Sequence, residues 1–212
     1  MTTIDILKKT KAAWKTICNA SNETKNALLL AMADSLEKNC AAILEANRAD
    51  MDGARGHISD VMLDRLYLDE KRVAGMAAGI RDTTALPDHT GRILSEIHRP
   101  NGMTIYKKQV PLGLVSIIYE SRPNVTSDAA ALTIKSGNVC MLRCGKEAYR
   151  SAHAIVKALK EGITAAGGDP LDIVNNLSDF IFSIIKALGV IILGWGIVQV
   201  GMSIQSHDAS QR

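Results

Sequence analysis

The chain has 212 residues, 47% hydrophobic and 22% charged, with a formal net charge of +3. That is enough apolar material for a core in one domain or one and a half, and the near-balanced charge, with no basic run of five, gives no reason to expect a nucleic-acid partner. The four cysteines (Cys18, Cys40, Cys140, Cys144) show neither zinc spacing nor a CxxC pair, which points to reduced cytosolic thiols. The amino terminus, MTTIDILKKTK, has no apolar core of a signal peptide.

Residues 4–50 carry helical periodicity. Ile4, Leu7, Ala12, Trp14, Ile17 and Cys18 recur at steps of three to four. Ser21 begins a second helix, with Glu23 and Lys25 on its polar side. Leu28, Leu29, Met32, Leu36 and then Ile43 and Leu44 supply its buried stripe. Asp50 to Ser59 reads as a polar turn. Val61 to Leu66 and Asp69 to Ile80 read as two more helices, with Asp69 as a capping residue. Nothing in this half carries chemistry; its charged residues read as the wet sides of helices.

The period changes after Leu86-Pro87-Asp88. Between Arg92 and Val110 the residues alternate on either side of Pro100-Asn101-Gly102, and Asn-Gly between alternating segments signals a hairpin. Leu114 to Tyr119 (LVSIIY) is β-branched and uncharged, suiting a strand buried on both faces of a parallel sheet. Pro123 ends it. Thr126 to Ile134 reads as a helix capped by Asn124 or Thr126 and stopped at Gly137. Val139 to Leu142 is a second strand, ending in the basic turn Arg143-Cys144-Gly145-Lys146. Strand, turn, helix, strand is a βαβ unit, and ligands in such sheets bind beyond the carboxyl ends of the strands. Those two ends carry Glu120, Ser121, Arg122, Asn124, Arg143 and Lys146. An amphipathic helix follows from Ala148 to Ala166, closed by Gly167-Gly168-Asp169-Pro170, and Leu171 to Val174 opens a third strand.

Three blocks in this region, IYESRPNVTSDAA, KSGN and LRCGKEA, closely resemble the signature of the γ-glutamyl phosphate reductases (glutamate-5-semialdehyde dehydrogenases), within the aldehyde dehydrogenase superfamily. LEANRADM and MLDRLYLDEKRVAGMAAGIR fit the same family, and the resemblance runs from about Ile4 to about Val174. It implies an α/β fold: an incomplete Rossmann-like cofactor domain with amino-terminal helices and a hairpin. It implies NADPH-dependent reduction of L-glutamate 5-phosphate to L-glutamate 5-semialdehyde and phosphate in proline biosynthesis, in the cytoplasm. It also implies a homo-oligomer formed through the hairpin at 92–110.

The resemblance further assigns roles. Glu120, Ser121, Arg143, Gly145 and Lys146 fall at cofactor-contacting turns; Lys146 is placed to favour the 2′-phosphate of NADP. Ser121 aligns with an oxyanion-donating asparagine of the superfamily. Arg122 and Asn124 are candidates for the substrate's carboxylate or phosphate, with Asn124 also a capping candidate. The family's nucleophilic cysteine lies downstream of the matching region, so this chain is expected to lack it. Cys144, whose pKa Arg143 and Lys146 would lower, faces cofactor rather than substrate and is not expected to replace it.

Residues 175–212 change character and resemble no part of that family. Phe180 to Ile204 contains one charge, Lys186, and Ala187 to Ile204 is 18 uncharged residues, about 27 Å as a helix. Residues 180–204 are expected to form a hydrophobic transmembrane helix, in contact with a membrane. A buried globular helix is the alternative. The domain expectation is therefore a truncated NADP-binding domain over 1–174 and an unrelated tail over 175–212. The alternative function is an inactive reductase fragment joined to a membrane helix.

Overall fold

The computed structural model describes residues 3–175. The chain divides into two units, Met1–Asn176 and Leu177–Arg212, and the described residues belong to the first. The expected hydrophobic helix at 180–204 lies outside them. Among the described residues no helix is long and apolar enough to cross a membrane.

Five helices come first: α1 (Thr3–Ile17), α2 (Asn22–Lys38), α3 (Cys40–Ala54), α4 (Asp60–Leu66) and α5 (Glu70–Thr84). Local chemistry sets several of their ends. The Ser21 hydroxyl accepts from the Thr24 amide at the start of α2, and Asp69 accepts from the Arg72 amide at the start of α5. The long apolar stripe is interrupted at Asn39, whose backbone leaves the helical well. Leu28, Leu29, Met32 and Leu36 therefore belong to α2 and Ile43 to α3, all buried. The Asn39 amide group donates to the Ser35 carbonyl at 2.9 Å, which stabilises the break.

Two expectations in this half are corrected. The polar turn placed at Asp50 to Ser59 begins only after Ala54, because α3 continues through Asp50. Asp50 stays helical because its carboxylate is bonded to a distant helix, so it does not compete for its own backbone. Lys25 is not on the wet side of α2. It is fully buried, and its ammonium group donates to Asp88 at 2.6 Å and Thr90 at 3.2 Å. A buried charge is tolerable when paired in this way.

The hairpin follows as β1 (Ile93–His98) paired antiparallel with β2 (Thr104–Lys108). Gly102 takes φ +82° in its turn, and Asn101 accepts from the Met103 amide at 3.1 Å. Ile93, Leu94, Ile97, Met103, Ile105 and Tyr106 are all exposed on this ribbon.

The second half is the βαβαβ segment: β3 (Leu114–Ile118), α6 (Pro123–Lys135), β4 (Val139–Arg143), α7 (Tyr149–Ala165) and β5 (Ile173–Asn175). The three strands are parallel in the order β3-β4-β5. Central β4 is buried along Val139 to Leu142. β3 was expected to be buried on both faces; instead Ser116 and Ile118 are exposed. Among the described residues β3 is an outer strand, so its β-branched composition records sheet propensity rather than full burial. α6 packs on β4, α7 on β5, and α2 lies across α6 and α7.

KSGN is an architectural knot. The buried Lys135 ammonium donates to Asn22 (2.8 Å), Asn26 (2.7 Å) and the Thr84 carbonyl (2.9 Å), so its three donors tie α6 to α2 and α5. Asn138 accepts from the Gly113 amide at 2.8 Å, fixing where β3 begins. Gly137 has φ +74° with Pro111 close against it, which leaves no place for a side chain.

Candidate functional site at the strand ends

β3 and β4 end flush. Ile118 stands opposite Arg143, and the Tyr119 amide donates to the Arg143 carbonyl at 2.9 Å. Two turns leave these ends side by side. On the β3 side, Glu120 is exposed, Ser121 is buried, and Arg122 is extended at φ −122° and ψ 97°. Pro123 forces that conformation on Arg122 and then starts α6 at its first helical position. The Tyr119 hydroxyl and Thr126 are hydrogen-bonded at 2.6 Å, pinning the exit of β3 to α6.

This geometry settles the capping question differently from the sequence. Arg122 occupies the cap position, without a side-chain hydrogen bond, and Asn124 sits exposed within the first turn of α6. A proline pre-set for the helix begins it two residues earlier than any capping side chain. Arg122 and Asn124 are thus both on the surface beside the strand ends.

On the β4 side, Arg143, Cys144 and Gly145 are half-buried, and Lys146 projects with its side chain 91% exposed. Residues 146–148 form one 3-10 turn that leads into α7. Glu147 inside it turns back toward the β3 side. The Ser121 hydroxyl donates to its carboxylate at 2.7 Å, joining the two turns across 26 residues. That bond, the largest influence, holds the Glu147 carboxyl below its usual range against partial burial. Lys146 approaches the other carboxylate oxygen at 4.0 Å. Gly145 fits between them: a Cβ there would lie 2.6 Å from the Ser121 oxygen and 3.3 Å from its amide. The backbone at Gly145 is ordinary, so space alone demands glycine.

Ser121, Gly145 and Lys146 are therefore brought together, with Arg143 at the strand tip. Glu147, which organises them, was missed in the sequence. Its only signal was its place just after Gly145-Lys146 in the turn. Ser121 has its proton directed at Glu147, so toward a ligand it offers a lone pair rather than a hydrogen-bond donor. A cavity of about 490 Å³ opens beside Lys146 and Glu147, lined also by Asp50, Gly53, Ala54, His57 and Arg150.

The expectation for the Cys144 thiol is corrected. Burial pushes it up to about 11, because desolvation outweighs the attraction of Arg143. Its sulfur lies 3.8 Å from the Ala148 carbonyl. Burial likewise pushes Cys140 up to about 11. All four cysteines are free, and none lies among the residues lining the cavity between α3 and the 146–150 turn. Among the described residues no group of histidine, cysteine and carboxylate side chains forms a metal site.

No family model matches the chain. Curated relatives do. A γ-glutamyl phosphate reductase of Streptococcus pneumoniae (serotype 19F, strain G54) is 57% identical over 156 residues, 74% of this chain and 37% of that protein. This chain is a homologue of the γ-glutamyl phosphate reductases. It spans just over a third of the length of the curated relatives it matches. Crystal structures of γ-glutamyl phosphate reductase agree. The Thermotoga maritima enzyme superposes with a TM-score of 0.80 at 34% identity, over 84% of this chain and 44% of that one. The Saccharomyces cerevisiae enzyme gives 0.77 at 30% identity, over 84% and 48%. An acetylating aldehyde dehydrogenase of Geobacillus thermoglucosidasius, 13% identical with a TM-score of 0.58, shares the fold. The α/β architecture of this γ-glutamyl phosphate reductase homologue is thus the one found in aldehyde dehydrogenases.

Proposed function

We propose that this chain provides the dinucleotide-binding part of a γ-glutamyl phosphate reductase, an NADP-dependent oxidoreductase of proline biosynthesis. The reaction is reduction of L-glutamate 5-phosphate to L-glutamate 5-semialdehyde and phosphate. The observation that carries this reading is the pair of flush strand ends joined by the Ser121–Glu147 bond, with Lys146 exposed at the rim. The donor set fits a phosphorylated nicotinamide dinucleotide. Glu147 offers an ionised carboxylate for ribose hydroxyls, and Lys146 a mobile cation for a 2′-phosphate. Gly145 permits close approach of the backbone. Arg143 and Glu120 complete the cradle. NADPH, when bound, supplies the hydride.

Arg122 and Asn124 sit beside the amino terminus of α6, whose dipole favours anions. We place the carboxylate or phosphate of the substrate there. Acyl-phosphate reduction through a thioester needs a thiolate. The half-buried Cys144, whose thiol burial pushes up to about 11, does not provide one. Oligomerisation through the exposed ribbon β1–β2 belongs to the same proposal, since an isolated two-stranded ribbon is marginal in water. The apolar stretch 180–204 is proposed as a membrane contact of a separate tail, residues 175–212. The first unit is proposed to act in the cytoplasm.

Fluorescence titration of the full chain with NADPH and NADH tests the cradle. NADPH is expected to bind more tightly, and Lys146→Ala to reduce it to the NADH level. Equal affinity for both dinucleotides in the wild type would refute the role of Lys146. A parallel assay of NADPH oxidation with glutamyl phosphate is expected to show no turnover.

A further inference from the structure

The turn that carries Lys146 and Glu147 leads straight into α7, yet the local sequence supplies no cap for that helix. Its cap position is Ala148, which has no hydrogen-bonding side chain. The missing acceptor comes from Asp50, a hundred residues earlier on α3. One carboxylate oxygen accepts from the Ser151 amide and the Ser151 hydroxyl, both at 2.7 Å. The other accepts from the Arg150 amide at 3.2 Å, and the Arg150 guanidinium lies 3.9 Å away. The carboxylate is 4% exposed, and an anion there also meets the positive end of the α7 dipole.

Asn47, one turn earlier on the same face of α3, extends the clamp. Its amide donates to Ser151 Oγ at 3.0 Å and to the Leu66 carbonyl at 2.8 Å, while its oxygen accepts from the Leu68 amide at 2.8 Å. Below the turn, Ala148 packs with Ala54 and Leu66, and half-buried Cys144 lies against them. The segment between Arg143 and Ser151 is therefore held at one end by the β4 ladder and at the other by α3.

We propose that Asp50 is a positioning residue: by capping α7 from α3, it fixes the turn that presents Lys146 and Glu147 to a dinucleotide phosphate and ribose. This rests on the nucleotide reading above only for the identity of the ligand. Asp50 need not touch the ligand; it acts through the backbone of residues 144–150.

Two measurements on the full chain test it. The first needs no ligand: amide hydrogen exchange in wild type, Asp50→Ala and Asp50→Asn. Loss of an N-cap interaction is expected to speed exchange across residues 146–152 roughly tenfold, with α5 and β4 unchanged. Asp50→Asn keeps one acceptor oxygen and is expected to restore part of the protection. The second is the ratio of NADPH to NADH affinity, which is expected to fall in Asp50→Ala toward the value for Lys146→Ala. A merely structural anchor would lower both affinities together and leave the ratio alone. Wild-type exchange at 146–152 in folded Asp50→Ala overturns the proposal, as does an unchanged affinity ratio. If Asp50→Ala does not fold, Ser151→Ala removes two hydrogen bonds from the same clamp, the one to Asp50 and the one from Asn47, and is read by the same two criteria. If wild type binds neither dinucleotide, the nucleotide reading fails, while the exchange measurement still decides whether Asp50 anchors the turn.

Discussion

Replacing Gly162 by alanine isolates one physical contest. Gly162 lies in α7 where that helix crosses α2. Alanine is better than glycine in a helix interior by about 1 kcal/mol, so local propensity favours the change. The crossing opposes it. A Cβ at 162 would meet the Ala31 carbonyl oxygen, and it would lie 2.8 Å from both the Ala31 carbonyl carbon and Met32 Cα. Carbon atoms rest about 3.5–4.0 Å apart, so α2 must retreat by roughly 1 Å. These are backbone atoms, held by Leu28, Leu29 and Met32 in the core, and no rotamer change relieves them. Overpacking of this kind costs about 3 kcal/mol, which leaves a net loss of about 2 kcal/mol after the propensity gain. For a chain of this size that corresponds to a fall in Tm of about 4–8 °C. Gly75 is the control. It is exposed in α5 with nothing within 4 Å of its Cβ position, so alanine there is expected to raise Tm by about 2–4 °C. Thermal unfolding followed by far-ultraviolet circular dichroism reads both. A Gly162→Ala protein as stable as the wild type would refute the reasoning that α2 and α7 meet backbone to backbone.

Three other outcomes are expected. Glu147, held below its usual range by Ser121, contributes stability above the unfolded carboxylate pKa and loses it as pH falls through the lower folded value. Ser121→Ala should return the Glu147 carboxyl upward in a carbon-detected NMR pH titration and flatten the acid limb of stability; an unmoved titration would show that the hydrogen bond does not act on it. Cys144, pushed up to about 11 by burial, should alkylate with iodoacetamide far more slowly than free cysteine at pH 7 and speed up as pH approaches that value; fast labelling at neutral pH contradicts this. For Asp88, burial alone would raise the carboxyl, but the bonds from Lys25 and Thr90 bring it below its usual value. Lys25→Met removes the buried partner, so stability should drop by about 3 kcal/mol and the Asp88 titration should move up; a loss under about 0.5 kcal/mol, the range of ordinary surface changes, would mean the pair is not structural.

The sequence by itself determined the succession of helices, hairpin and βαβ unit, because amphipathic period and turn chemistry act over a few neighbouring residues. Asp69 as a cap, Asn101-Gly102 as a turn and Gly137 as a helix stop were all legible for that reason. It also placed Ser121, Gly145 and Lys146 at neighbouring strand ends, since a βαβ order already implies parallel strands with their tips on one side. The tertiary structure alone decided what the buried charges do. Lys25 carries the pattern of a solvated helix residue until Asp88, 63 residues on, meets it. Asp50 is an unremarked acid until Ser151 arrives beside it, and Glu147 is one letter of a basic turn until Ser121 points at it. The Cys144 thiol follows the same rule: the adjacent cations were visible in the sequence, whereas the desolvation that outweighs them depends on α3 and α4 closing over it. Charge pairing and burial are set by distances through space, and no local pattern in the chain encodes which distant residue will supply them.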